Sequence, residues 1–252
     1  METAQSRTWR EISLSNLEHN YRALRAMLPP GCRFLGVVKA NAYGNGSVWV
    51  ARHLERLGAE YLAVACVDEG AELRAAGVKI PILILGDTPA ERSGDLLDLN
   101  LTQTVPDLET AKALSAAAVA AGKTLKIHIK ADTGMSRLGF LCDEAHMADS
   151  VARMARACAL PGLDHEGIFT HFADSDGSEE YTMLQFTRFL AAVEQLAERG
   201  VTFAIRHCAN SGAVLNYPCT HLDMVRPGLA LYGHYPAPSC AGLDGPAQEG
   251  AG

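Results

Sequence analysis

Several reactive side chains stand directly after short apolar runs, and their types define the chemistry open to the chain. Lys39 closes the run Phe34-Leu-Gly-Val-Val-Lys and is followed by Ala-Asn-Ala-Tyr43-Gly-Asn-Gly46. A lysine at the end of a buried strand is costly unless it has a task or a partner. Desolvation lowers an amine's pKa and makes it a nucleophile suited to a Schiff base; a lysine reaching past the strand end into solvent is the other reading. Two glycines around Asn45 mark a sharp turn, and Tyr43 either offers its hydroxyl to an anion or ring or simply packs. Lys130-Ala-Asp-Thr-Gly-Met-Ser-Arg137-Leu-Gly139 sets two cations about a Gly-containing turn. They suit an anionic ligand, or they pair with Asp132 or face solvent. In Thr170-His171-Phe172 the histidine is a base, a ring-stacking group or a satisfied core residue. No second His or carboxylate lies at metal-ligand spacing, so no metal is expected. Asn210-Ser211-Gly212 after His207, and Gly228-Leu229 after Arg226, supply N–H donors of the kind that hold phosphate.

The elements that must position these residues alternate. Short apolar runs at Arg33–Lys39, Tyr61–Ala65, Ile82–Leu85, Leu101–Val105, Leu125–Lys130, Leu163–Thr170, Phe203–Cys208 and Leu222–Val225 read as strands. Helical periods at Val48–Leu57, Asp68–Ala76, Asp107–Ala121, Asp143–Cys158 and Glu179–Arg199 fall between them. Eight such strands, each followed by a helix or a helix-length connection, predict an α/β fold, a (β/α)8 TIM-type barrel. An extra N-terminal helix is expected over Ser15–Met27, capped by Ser13 or Ser15. The alternative, an open doubly wound sheet, lacks its Gly-rich fingerprint after the first strand. In a barrel the candidate residues all fall at the strand ends where such folds carry function, with the phosphate cup after strands seven and eight. Residues 1–236 are expected to form the barrel. Residues 237–252 are mostly Ala, Gly, Pro or polar and are expected to be disordered, with no second domain following. A strand-one lysine, a phosphate cup and a ring-flanking histidine together point to pyridoxal phosphate joined to Lys39.

Composition narrows the classes further. The 252 residues carry 22 Lys plus Arg against 29 Asp plus Glu, a formal charge of −7, and the pI is near 5.7. That argues against an electrostatically driven nucleic-acid binder. No run of apolar residues is long enough to span a membrane, and the N-terminus has no secretory h-region. The seven cysteines show no Cys-x-x-Cys spacing, as expected for free thiols in a reducing cytoplasm.

Five motifs in order carry a family resemblance. Val37-Val-Lys39-Ala-Asn-Ala-Tyr43-Gly-Asn-Gly46 resembles the cofactor-lysine motif of bacterial alanine racemases. Lys130-Ala-Asp-Thr-Gly-Met-Ser-Arg137-Leu-Gly, Gly167-Ile-Phe-Thr-His171-Phe-Ala, Cys208-Ala-Asn210-Ser211 and Val225-Arg226-Pro-Gly228-Leu-Ala-Leu-Tyr-Gly233 are similar to further motifs of that family. The likeness runs from about Trp9 to Pro236; Asn45 departs from it, standing where the family usually has His. The resemblance implies a PLP-dependent isomerase that interconverts L- and D-alanine and supplies D-alanine for peptidoglycan. It makes Lys39 the cofactor lysine and the base for the D-enantiomer's α-proton. Tyr43, Asn210, Ser211, Gly228 and Leu229 would surround the phosphate, with His171 against the ring. Arg226 would face the pyridine nitrogen and His207 would support it. Lys130 matches a lysine that is carbamylated in many members, where it orients the arginine matching Arg137, and Arg137 would bind the substrate carboxylate. The second base of the family is a tyrosine from a C-terminal β domain of the partner in a homodimer; no candidate for it follows Tyr235. The chain alone is therefore expected to bind the cofactor weakly and racemise poorly, as a monomer or an aggregation-prone barrel. Two other readings remain: a non-catalytic PLP-binding barrel, and a serine or broad-specificity racemase of the same family.

Overall fold

The computed structural model describes residues 9–236. The expectations for residues 237–252, for Cys240 and for a leader-free N-terminus lie outside the described residues. Nine strands occur among those described: β1 (Arg33–Val37), β2 (Tyr61–Val64), β3 (Ile82–Ile84), β4 (Thr102–Val105), β5 (Leu125–Asp132), β6 (Phe140–Leu141), β7 (Leu163–Phe169), β8 (Ile205–His207) and β9 (Met224–Val225). Eight form a ring of parallel neighbours, from β1 through β5 and then β7 to β9. β1 is flanked on both sides, Leu35 opposite Tyr61 and Arg33 opposite Met224. The last gap, between β8 and β9, is bridged by Asp223 N–H to Arg206 O at 3.1 Å and Arg226 N–H to Ala209 O at 2.9 Å. The expected eight-stranded barrel is therefore the fold, and the two-residue β6 is a short addition paired with the end of β5.

The helices are α1 (Leu14–Ala26), α2 (Lys39–Tyr43), α3 (Ser47–Leu57), α4 (Val67–Ala75), α5 (Ser93–Asp98), α6 (Leu108–Ala120), α7 (Met147–Cys158), α8 (Glu179–Glu198) and α9 (Ser211–Asn216). Ser13, not Ser15, caps the extra helix α1, accepting the Asn16 N–H at 3.2 Å. Asp107 and Ser178 cap α6 and α8 in the same way. α7 starts at Met147, four residues later than its periodicity predicts. Asp143 instead closes a turn by accepting the His146 N–H at 2.9 Å.

Period-two alternation divides the strands between two apolar layers. Phe34, Leu62, Ile82, Ile127 and Ile129 face the helices and are fully buried. Leu35, Val37, Tyr61, Ala63, Leu83, Ile205 and Met224 fill the barrel interior. Each fully buried Leu or Ile stabilises the fold by about 1.5–3 kcal/mol. The same alternation puts Lys126, His128, Lys130 and Asp132 of β5 on one face, opposite Ile127, Ile129 and Ala131. The six cysteines among the described residues are free thiols, and no described helix is long and apolar enough to cross a membrane.

Candidate active site

Lys39 opens α2, which winds the wrong way. Ala40, Asn41, Ala42 and Tyr43 all have φ between 52° and 56°. A left-handed turn costs L-residues roughly 1–2 kcal/mol each, so the surroundings must impose it. The Glu69 carboxylate accepts the Ala40 N–H and the Ala65 N–H, each at 2.7 Å, fastening the turn to the end of β2. The Asn41 side chain accepts the Ser47 N–H at 2.9 Å, and Asn45 Nδ2 donates to Ala42 O at 3.0 Å. Arg10 donates to Gly44 O at 2.8 Å. Lys39 is thereby held half-buried at the mouth of the barrel. Burial pushes its amine below the ordinary lysine value; nearby Arg137 adds to this and Glu69 opposes it.

Lys39 lines a cavity of about 290 Å³ with Tyr43, Lys130, Arg137, His171, Asn210, Ser211, Arg226, Gly228 and Leu229. The structure thus gathers the candidates from five strand ends in one place, where barrel folds carry their sites. His207 lies beneath the cavity. The options left open for Lys130 and Arg137 narrow. Asp132 accepts the backbone N–H groups of Gly134, Ser136 and Arg137 at 3.0–3.1 Å, so it fixes their turn rather than pairing with either side chain. Lys130 is 3% exposed, and its Nζ has no hydrogen-bond partner. It sits 4.9 Å over the Phe169 ring. Burial, with the charges of Arg226 and Arg137, pushes it down to about 7 against the pull of Asp132.

At the other side of the cavity, Ser211 Oγ accepts from Gly228 N–H at 3.0 Å and Ala230 N–H at 3.1 Å. Both its lone pairs are taken, and its hydroxyl proton remains to be given to a ligand. The Gly228 N–H is thus already satisfied. That glycine serves by leaving space, since a Cβ there would lie 2.7 Å from the Tyr43 hydroxyl. Asn210 caps α9 by accepting the Ala213 N–H at 3.1 Å and accepts the Ser175 hydroxyl at 2.6 Å.

Arg226 is 4% exposed and uses its terminal nitrogens on His207 Nδ1 (2.9 Å), Thr170 O (2.8 Å) and Cys208 O (3.1 Å). Burial lowers it to about 10, so it stays charged at neutral pH. Burial, followed by the charges of Arg226 and Lys130, holds both His171 and His207 well below the ordinary imidazole value. Both rings are neutral. Glu69, Tyr61, His128 and Glu166 were not among the sequence candidates. The alternation in Leu125-Lys-Ile-His-Ile-Lys130 was the one available signal, because it puts His128 on the face of Lys130.

Residues 12–236 match the family model described as "Alanine racemase, N-terminal domain". The chain belongs to the alanine racemase N-terminal domain family. It is 47% identical over 230 residues to the alanine racemase of Desulforamulus reducens, covering 91% of this chain and 61% of that protein. It is 46% identical over 233 residues to that of Desulfovibrio desulfuricans, covering 92% and 62%. The alanine racemase of Clostridium difficile 630 in complex with cycloserine superposes with a TM-score of 0.90 at 42% identity, covering 94% of this chain and 64% of that one. That of Bacillus anthracis with bound L-Ala-P gives 0.83 at 32% identity, covering 93% and 61%. The chain thus spans about three-fifths of the length of these relatives.

Proposed function

We propose that this chain is the cofactor-binding barrel of a PLP-dependent alanine racemase. The observation that carries this reading is one cavity of about 290 Å³ that joins the pKa-lowered amine of Lys39 to unpaired cations and a free serine hydroxyl proton. That is a site for a small, anionic, carbonyl-bearing ligand.

Pyridoxal phosphate, when bound, supplies an electron sink that acidifies the Cα–H of an attached amino acid. The residues fit it. Ser211, Tyr43 and the first N–H of the turn beginning at Leu229, which has no partner within that turn, would hold the phosphate, with Asn210 shaping the loop. Burial raises the Tyr43 phenol, so it remains a donor. Neutral His171 would lie along the ring. Arg226, charged and fixed by His207, would donate to the ring nitrogen without transferring its proton, which keeps the sink weak and limits side reactions. Lys39 would hold the cofactor and take the α-proton on one face at its Nζ. Arg137, exposed at the rim, would bind the substrate carboxylate. The uncharged form of Lys130 is the form that adds CO₂, giving a carbamate that would orient Arg137.

Racemisation also needs an acid on the opposite face. We assign it to a tyrosine of a C-terminal domain in the partner of a homodimer, as in the resembling family. Removing one of two acid–base partners costs about 10²- to 10⁴-fold, so full turnover is expected to depend on that tyrosine. The product, D-alanine for peptidoglycan, and a cytoplasmic location belong to the same proposal. The deciding experiment is the absorbance spectrum of the chain with PLP beside Lys39→Ala, then D-alanine formation from L-alanine. A band that needs Lys39 and comes with turnover supports the racemase. The band without turnover, with or without added L-serine, supports a binding barrel. No band overturns the cofactor reading.

A further inference from the structure

Beneath the cavity a line of polar side chains runs down the barrel interior. Arg226 Nη1 lies 2.9 Å from His207 Nδ1, His207 Nε2 lies 2.8 Å from His128 Nδ1, and His128 Nε2 lies 3.4 Å from Glu166 Oε2. Glu166 also accepts the Tyr61 hydroxyl and pairs with the Lys126 ammonium. Both imidazoles are fully buried. The line is built into the packing. Phe169 stacks on His207 with centroids 4.8 Å apart and planes 9° apart. Gly167 makes way for His128, whose ring stands 2.6–2.8 Å from where a Cβ would be.

The chemistry gives the line one direction. A guanidinium can only donate, so His207 Nδ1 must accept and its proton must sit on Nε2. That proton is donated to His128 Nδ1, which leaves the second ring's proton on Nε2, facing Glu166. A carboxylate can only accept, so it terminates the series. A second proton on either ring would set two donors against each other. Burial and the surrounding cations keep both rings neutral. Against the opposing effect of burial, hydrogen bonds from His128, Lys126 and Tyr61 hold Glu166 at about 2. Among the described residues no salt bridge reaches Arg226, so Glu166, two rings away, is the carboxylate its hydrogen bonds lead to.

We propose that Glu166 is a positioning residue for the cofactor site: through the Nε2–H forms of His128 and His207 it fixes the face that Arg226 presents to the cofactor's ring nitrogen. The proposal rests on the reading of the cavity as a PLP site. Without the carboxylate, His128 no longer has a reason to keep its proton on Nε2. If that proton moves to Nδ1 it meets the Nε2–H of His207. His207 must then carry its own proton on Nδ1, against the Arg226 donor, and the guanidinium keeps only its Nη2 bonds to Thr170 O and Cys208 O.

The test uses the whole chain and two readouts other than activity. Ring-nitrogen NMR of the cofactor-free chain is expected to show Nε2–H forms for His128 and His207 that do not titrate between about pH 6 and 8, where free imidazole does. Glu166→Leu, which removes the acceptor, is expected to disturb both rings, weaken PLP binding roughly tenfold and shift the nitrogen resonance of ring-labelled PLP. Glu166→Asp, which keeps the charge, should restore part of each, and Lys126→Met should leave both ring forms in place. An Nδ1–H form in the wild-type chain overturns the proposal even if no variant folds. So does Glu166→Leu with unchanged ring forms and unchanged PLP affinity while the Lys39-dependent band persists. Intact Nε2–H forms in a chain with no Lys39-dependent band overturn instead the reading of the cavity, and with it the role of Glu166 toward the cofactor.

Discussion

The two ends of this barrel treat charge in opposite ways. Away from the mouth, several cations are answered by carboxylates: Arg206 meets Asp223 at 2.8 Å, Arg25 meets Glu60 at 2.5 Å, and Lys126 pairs with Glu166. At the mouth, Lys39, Lys130, Arg137 and Arg226 make no salt bridge among the described residues, and Lys130 Nζ has no polar partner at all. Unpaired buried cations destabilise a fold. Lys130 and Arg226 are buried in this way, and the proposed anionic ligand, or an anion made on Lys130, would complete the balance around the cavity. The mouth leaves its cations without carboxylates, while at the far end Glu166 both answers Lys126 and closes the line of hydrogen bonds that leads up to Arg226.

The sharpest way to break this contrast is to remove Lys39. Lys39→Ala should abolish the cofactor-dependent absorbance band and lower any turnover by at least about 10²- to 10⁴-fold, while leaving thermal stability near wild type. A retained band would mean that another amine holds the cofactor.

The next pair of substitutions should shift stability in opposite directions. Glu166→Leu leaves the donors of His128, Tyr61 and Lys126 without their acceptor and should destabilise by about 1–3 kcal/mol in urea unfolding. Lys130→Met removes an unpartnered buried amine and should stabilise by about 1–3 kcal/mol at pH 6 in bicarbonate-free buffer. The pH dependence has a definite sign. The folded-state pKa of Lys130, about 7, lies below the ordinary value of 10.5, so the unfolded chain binds more protons between those values. The lysine's penalty is complete below pH 7 and is relieved as pH rises toward 10.5. The advantage of Lys130→Met should shrink over that window. Added bicarbonate should stabilise the wild-type chain, with a mass gain of one CO₂, and not the variant. A pH-independent difference would show that Lys130 titrates alike in the folded and unfolded chains, its amine not lowered by burial.

The barrel was legible because strands such as β1 and β3 are short apolar runs spaced by helical periods, and the mouth residues because they follow the strand ends. Three features were not. Nothing in Ala40-Asn-Ala-Tyr43 specifies positive φ: those residues default to right-handed turns, and the hand comes from Glu69, 29 positions away. Glu166 was hidden by a register shift between β5 and β7 that breaks simple alternation. His128 shared a face with Lys130, but alternation says which residues lie together and not which face is inward. A smaller test follows from the first of these. Glu69→Gln keeps one acceptor but turns an amide N–H₂ toward the other backbone N–H. It should cost about 1 kcal/mol and loosen the Lys39 turn, read as weaker PLP binding with little change in unfolding cooperativity.

The smallest effect is expected where the sequence leaves its family. Asn45, usually His in the matching motif, is 6% exposed and donates from Nδ2 to Ala42 O at 3.0 Å within the left-handed turn. Its Oδ1 is buried without a partner. A histidine at this position can make the same donation from one ring nitrogen, and its second nitrogen replaces the unsatisfied carbonyl oxygen, so neither residue gains a bond over the other. The larger ring must fit beside Ala42, whose own packing is complete. Hydrogen bonding is thus equal and only the fit of the ring differs, so Asn45→His should change stability by no more than about 0.5 kcal/mol and leave PLP affinity within a factor of about two. A larger loss of affinity would show that residue 45 touches the ligand directly. The turn would then belong to the cation-rich side of the comparison by contact, and not merely by holding Lys39 in place.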